Sequence, residues 1–187
     1  MKPVIVILVS LLSFAAAIGQ QPPSADSVLK EAGQEARREG KKVFIIFHAS
    51  WCGWCKKMDQ SMADKSVKNF FDDNYVVRHL TVYESKGNEG LENPGAEALL
   101  KKYRGADQGI PYWMIFSTEG ELLADSKMRA PGEGLEAGDN SGCPASEKEV
   151  DYFVGVLKAT SPLKDTELEM IRKRFRQNEP AASRPVQ

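Results

Sequence analysis

Cys52 and Cys55 stand two residues apart in the stretch WCGWCKK, residues 51–57. A pair at that spacing can hold a metal, close a disulfide as a staple, or carry redox chemistry. A structural zinc site needs four ligands, commonly two CxxC pairs or one pair with two histidines. The other soft side chains are His48, His79 and Cys143, and none of them has paired spacing. A disulfide spanning two residues closes a very short loop, so it removes little entropy from the unfolded chain. Thiol–disulfide exchange is the chemistry the pair suits.

Position in the chain supports that choice. Val43 to Ala49, VFIIFHA, is a continuous apolar run rich in β-branched and aromatic residues. Such a run reads as a strand buried on both faces. The pair follows at once, and the residues after it, KKMDQSMADKSVKNFF, read as helical. Cys52 therefore falls at a helix N-terminus. There the unpaired backbone N–H groups and the helix dipole stabilise a thiolate. Its pKa should fall below the free value of about 8.5. Cys55 lies one turn on and should be the more buried of the two. Cys52 is then the nucleophile that attacks a substrate disulfide, and Cys55 the thiol that resolves the mixed disulfide.

The elements that must position the pair can be read along the chain. Asp26 or Ser27 caps a helix running to Arg38, closed by Gly40. Tyr75 to Tyr83 is a second strand. Pro94 starts a helix to about Arg104. Tyr112 to Phe116 is a strand, and the Glu119-Gly120 turn returns the chain over Glu121 to Asp125 as a hairpin. Residues 127–146 are a long Gly-rich loop. A helix follows from about Glu147 to Ala159, and one further helix lies within Leu163 to Asn178. Strands alternating with helices imply an α/β fold whose sheet is covered on both sides.

Composition excludes several classes. The 187 residues are 42 % apolar and 27 % charged, with a formal net charge of −1. A core of ordinary size can form without disulfide staples. No strong field invites nucleic acid or an acidic membrane surface. Residues 4–17, VIVILVSLLSFAAA, carry no charge, follow Lys2, and precede a small-residue cleavage site at Ala17-Ile18-Gly19. That pattern is a signal peptide over 1–19. The run is short of the roughly 20 residues a membrane span requires; an uncleaved anchor is the alternative. Export would deliver the mature protein, to the periplasm or outside the cell, where disulfides persist. The organisation is thus a leader at 1–19, a linker at 20–25, one domain at 26–160, and a C-terminal helix with a disordered tail at 161–187.

VFIIFHASWCGWCKK and GIPYWMIFSTEGEL together resemble the thioredoxin superfamily over about residues 26–160. The resemblance implies a thioredoxin-like fold, a central mixed sheet flanked by helices, here with an extra C-terminal helix. It implies that Ile110–Pro111 is a cis peptide facing the cysteines. Substrate backbone would pair beside it, and the proline would shield the thiols. Trp51, Gly53, Trp54, Ile110 and Pro111 would form the substrate site. No bound cofactor is needed. The partners are protein disulfides and a thiol protein that donates electrons. Where the family commonly buries an aspartate before the motif, this chain has Ile46, so the proton acceptor for Cys55 would be water, Glu35 or another carboxylate. Gly-Trp between the cysteines, with Ile before the proline, leans towards a reductant or isomerase. A dithiol oxidase and a non-enzymatic binding module are the rivals.

Other residues carry paired readings. Trp51 either lines the substrate groove or packs in the core, and Trp54 is an exposed contact residue. His48 either tunes the thiolate or is a half-buried imidazole with its own hydrogen bond. His79 reads as a plain strand residue. Cys143, in a flexible loop, could form an intermolecular disulfide, serve as a third redox thiol, or be a surface thiol without a role. RKRFR, residues 172–176, has acidic neighbours and reads as a solvated helix face rather than a nucleic-acid patch. Leu168, Ile171 and Phe175 on that helix would dock on the domain or on a partner.

Overall fold

A computed structural model describes residues 21–130 and 132–180. The predicted leader and the last residues of the predicted tail lie outside them. The first helix, α1 (Ala25–Glu39), is capped by Ser24, two residues before Asp26 and three before Ser27, the caps expected from the sequence. Ser24 keeps an extended backbone and its Oγ accepts from the Ser27 N–H at 3.2 Å. Asp26 instead occupies the first turn, where a carboxylate complements the helix dipole. Gly40, at φ +69°, closes the helix.

Strand β1 (Lys42–His48) sits inside a four-stranded mixed sheet. It pairs in parallel with β2 (Tyr75–Thr81) and antiparallel with β3 (Tyr112–Phe116). Strand β4 (Leu122–Asp125) pairs antiparallel with β3 at the edge. Both faces of β1 and β3 are covered, which explains their unbroken apolar sequences. Phe44, Ile46, Trp113 and Ile115 enter one core layer; Val43, Ile45, Phe47, Tyr112, Met114 and Phe116 enter the other. The alternation is the period-2 pattern of a pleated strand.

The parallel β1–β2 pair needs a crossover. It is made by α2 (Gly53–Met62) and α3 (Lys68–Asp72), two helices where the sequence suggested one. Asp64 makes the break: its Oδ1 accepts from the Ser66 N–H at 3.0 Å and hydroxyl at 2.7 Å, a local turn that competes with helix. Helix α4 (Ala96–Lys102) likewise begins after Pro94. Gly95, at φ +84°, intervenes, and the Pro94 carbonyl accepts from Ala25 N–H at 2.8 Å.

The segment expected to be a loop, 127–146, carries a short two-stranded ladder, β5 (Lys127–Met128) with β6 (Asp139–Asn140). Lys127 is buried there and its Nζ donates to the carbonyls of Leu135 (2.8 Å) and Glu136 (3.1 Å). Gly138 is obligatory, since a Cβ would come within 2.5 Å of the Met128 carbonyl oxygen at φ +83°.

Helix α5 (Glu147–Thr160) opens with a Ser146–Glu149 capping box. Helix α6 (Asp165–Arg176) buries Leu168, Ile171 and Phe175 in the same layer as Phe44, Trp113 and Phe153. That helix docks on the domain itself. The basic run on it is paired within the fold: Arg172 with Asp151, Arg174 with Asp64 at 2.9 Å, and Arg176 with the Ala145 carbonyl at 2.5 Å. Among the described residues no helix is long and apolar enough to cross a membrane.

Candidate active site

The pair is oxidised. Cys52 and Cys55 form a disulfide with their Cα atoms 5.3 Å apart. Cys52 is the N-cap of α2, held extended at φ −74° and ψ 103°. Its Sγ accepts the Cys55 backbone N–H at 3.1 Å. The Cys52 sulfur thus caps the first turn of α2, at the end where the dipole favours negative charge. Reduction would leave the Cys52 sulfur facing that N–H donor. Both cysteines are buried, and the expected difference between them is small: 3 % exposure for Cys52 and 1 % for Cys55.

The peptide bond between Ile110 and Pro111 is cis. Cys52 Sγ lies 3.7 Å from the Ile110 carbonyl oxygen, and Ile110 packs against Ala49, Cys52 and Cys55. Two tryptophans frame the pair. Trp51 is 56 % exposed, which excludes the core-packing alternative, and its Nε1 donates to the Tyr83 carbonyl at 2.8 Å. Trp54 is 47 % exposed, with the Lys57 ammonium 5.6 Å from its ring. Gly53 opens α2 facing open space. All five residues expected in the substrate site, Trp51, Gly53, Trp54, Ile110 and Pro111, belong to the two segments that meet at the disulfide.

Two residues outside those motifs hold the segments in place. The Asn140 side-chain amide donates to the carbonyls of Gln108 (3.0 Å), Gly109 (3.3 Å) and Pro111 (3.1 Å), and its Oδ1 accepts from Gly142 N–H at 2.9 Å. The Glu84 carboxylate accepts from the Ser50 N–H at 2.5 Å and hydroxyl at 2.7 Å, just before the motif. Those Ser50 bonds hold the Glu84 carboxyl below the usual carboxylate range. Asp139-Asn140-Ser141-Gly142 has the local signature of an Asx turn, so Asn140 had a signal as a turn residue, though none pointing to Pro111. Glu84 had none.

Several side chains have duties away from the sulfurs. His48 shares a hydrogen bond with the Thr81 hydroxyl (3.2 Å) and packs edge-on against His79, the ring centroids 4.9 Å apart. Burial, and then neighbouring His79, lower the His48 pKa. His79 bonds Asp59 of α2 at 2.8 Å, a partner its strand position did not suggest. Glu35 pairs with Arg78 and lies on α1, which covers the opposite sheet face from α2. It is therefore removed as a proton acceptor for Cys55. Ile46 is fully buried beneath α2 with Met58.

Cys143 departs most from expectation. It is no surface thiol: it is 6 % exposed within the core layer of Trp113 and Phe153, and its sulfur accepts from Asn178 Nδ2 at 3.5 Å. Burial pushes its thiol up to about 12.

A family model described as thioredoxin-like matches residues 25–117. Among solved structures, the chain is similar to a disulphide isomerase from Xylella fastidiosa Temecula1, at 19 % identity over 62 % of this chain and 80 % of that one, with a TM-score of 0.46. It is similar to the oxidoreductase DsbH at 23 % identity, covering 83 % and 95 % of the two chains, with a TM-score of 0.41. It is also similar to the oxidised C-terminal domain of DsbD from Neisseria meningitidis, at 22 % identity over 56 % and 84 %, with a TM-score of 0.40. With the CxxC pair at the strand-to-helix junction and the family match running from α1 through β3, the chain belongs to the thioredoxin superfamily.

Proposed function

We propose that this chain is a thiol–disulfide oxidoreductase that reduces or isomerises protein disulfides in an extracytoplasmic compartment. The observation that carries the proposal is the Cys55 N–H on Cys52 Sγ at the α2 N-terminus. A donor in that place lowers the energy of a Cys52 thiolate, and the thiolate is the nucleophile in exchange.

The reduced pair acts in two displacements. Cys52 thiolate attacks one sulfur of a client disulfide. The client S–S bond breaks, a Cys52–client S–S bond forms, and the other client sulfur leaves as a thiolate that takes up a proton. Cys55, deprotonated, then attacks Cys52 Sγ. The mixed disulfide breaks, the Cys52–Cys55 bond forms, and the second client sulfur leaves and is protonated. Two electrons pass from the pair to the client. A second dithiol protein supplies two electrons to regenerate the pair. Trp51, Gly53, Trp54, Ile110 and Pro111 form the surface on which the client lies. The leader-like residues 1–19 support an oxidising destination, periplasmic or secreted.

The direct test is insulin reduction driven by dithiothreitol, with a trapping variant beside it. Cys52→Ser should abolish turnover, and Cys55→Ser should accumulate a client cross-linked at Cys52, visible by mass spectrometry. Undiminished turnover in Cys52→Ser would overturn the assignment. Titration against glutathione or dithiothreitol buffers then sets the direction. A potential near about −270 mV fits a reductant, and one near about −120 mV a disulfide donor. Absence of all turnover with both thiols intact would leave a binding module.

A further inference from the structure

A cleft of about 210 Å³, lined by Trp54, Ile110, Pro111, Ser141, Cys143 and Glu149, opens beside the disulfide, against which Ile110 packs. We propose that this cleft is a side-chain subsite that takes a tyrosine adjoining the client's cysteine. The inference rests on reading the pair as a thiol–disulfide centre and names the clients it would prefer.

Size and lining point to an aromatic ring. An apolar cavity of about 150 Å³ already accommodates benzene. Trp54, Ile110, Pro111 and Cys143 offer the apolar contact, and Trp54 presents an exposed ring for stacking.

The polar groups point to a hydroxyl at the ring's far end. Ser141 is 4 % exposed, and among the described residues its hydroxyl has no hydrogen-bond partner. A buried hydroxyl left unpaired is costly, and a ligand atom that pairs with it recovers that energy. The Glu149 carboxylate is fixed at the start of α5, accepting from the N–H groups of Ala145 (3.0 Å) and Ser146 (2.9 Å). It can accept a phenol O–H and repels an acidic side chain.

The wall is built in advance. Residues 141–145 are tied to the sheet by Trp113 Nε1 on the Gly142 carbonyl (3.0 Å), and to the C-terminal end by Asn178 Nδ2 on the Pro144 carbonyl (3.1 Å). Asn140 ties the same segment to the Pro111 carbonyl. A subsite that needs no ordering on binding gives its full discrimination.

The test uses the full mature chain and two matched peptide sets, X-Cys-X as intermolecular disulfides and X-Ser-X without sulfur, with X as Tyr, Phe, Ala, Lys or Glu. Calorimetric binding of the X-Ser-X set to the oxidised protein should rank Tyr first and Glu last. Tyr should exceed Phe by about five- to tenfold, the worth of one neutral hydrogen bond. Ser141→Ala should reduce the Tyr advantage over Phe to less than twofold. Trp54→Ala, at an exposed position, should weaken both aromatic peptides together and leave their ratio intact. Equal binding across X, a preference for Lys or Glu, no heat at millimolar peptide, or an unchanged Tyr:Phe ratio in Ser141→Ala would each overturn the subsite. Turnover of the disulfide set separates the two claims. No turnover with the Tyr preference intact sinks the oxidoreductase reading and supports the subsite; turnover indifferent to X does the reverse.

Discussion

The side-chain amide of Asn140 donates to the Pro111 carbonyl at 3.1 Å, joining the β5–β6 segment to the loop that faces the cysteines. The same amide reaches the carbonyls of Gln108 and Gly109, so one side chain fixes the path of the chain before and through the cis peptide. The cis-proline loop is positioned by a residue 29 positions further along.

Asn140→Ala should cost about 1–2 kcal/mol of stability, the loss of a small set of partly buried hydrogen bonds, read by urea denaturation. It should lower kcat/KM for a protein disulfide by a larger factor than its effect on reduction by dithiothreitol, because only the protein client uses the loop. Asn140→Asp sets a carboxylate against carbonyl oxygens and should be worse than alanine at neutral pH. That extra penalty should vanish below about pH 4, where the aspartate is protonated and can donate. Equal effects on both substrates would remove the positioning role.

Glu84 provides the pH dependence. Its bonds from Ser50 lower its pKa in the folded state, so the ordering it gives is fully present above the ordinary glutamate value of about 4.3. That ordering is lost as pH falls through the lowered folded value. Trp51 fluorescence should therefore change in a titration step below about pH 4.3, and the step should be absent in Glu84→Gln. A step that persists in the variant would assign it to another group.

Cys143 should resist alkylation. With its thiol pushed up to about 12, the thiolate fraction at pH 8 is on the order of one in ten thousand. Oxidised native protein should take up no iodoacetamide at pH 8 on the timescale that labels a free cysteine, and should take up one equivalent after unfolding. Fast native labelling would restore the third-thiol reading.

Phe175 tests whether α6 belongs to the core. Its ring lies 4.9 Å from that of Phe153 and 6.2 Å from that of Phe71, centroid to centroid. Phe175→Ala should destabilise by about 3–5 kcal/mol, measured as a fall in the urea midpoint at constant slope. A loss below about 1 kcal/mol would make the helix peripheral.

The features legible along the chain are local ones. The apolar run ending at His48, the pair at Cys52 and Cys55, and the start of α2 follow one another along the chain, so hydrophobic pattern and helix-end chemistry specify them together. The hairpin of β3 and β4 was legible for the same reason, with Gly120 at φ +84° in its turn. Tertiary structure decided the rest, because the partners are remote. Glu84 reaches Ser50 across 34 residues, and Asn178 reaches Cys143 across 35. Cys143 has the composition of a loop around it, yet it is buried because α6 returns over it and Asn178 satisfies its neighbour Pro144. No periodicity records such a contact: whether a residue is covered depends on which distant element packs above it, and that is settled only when the layers close.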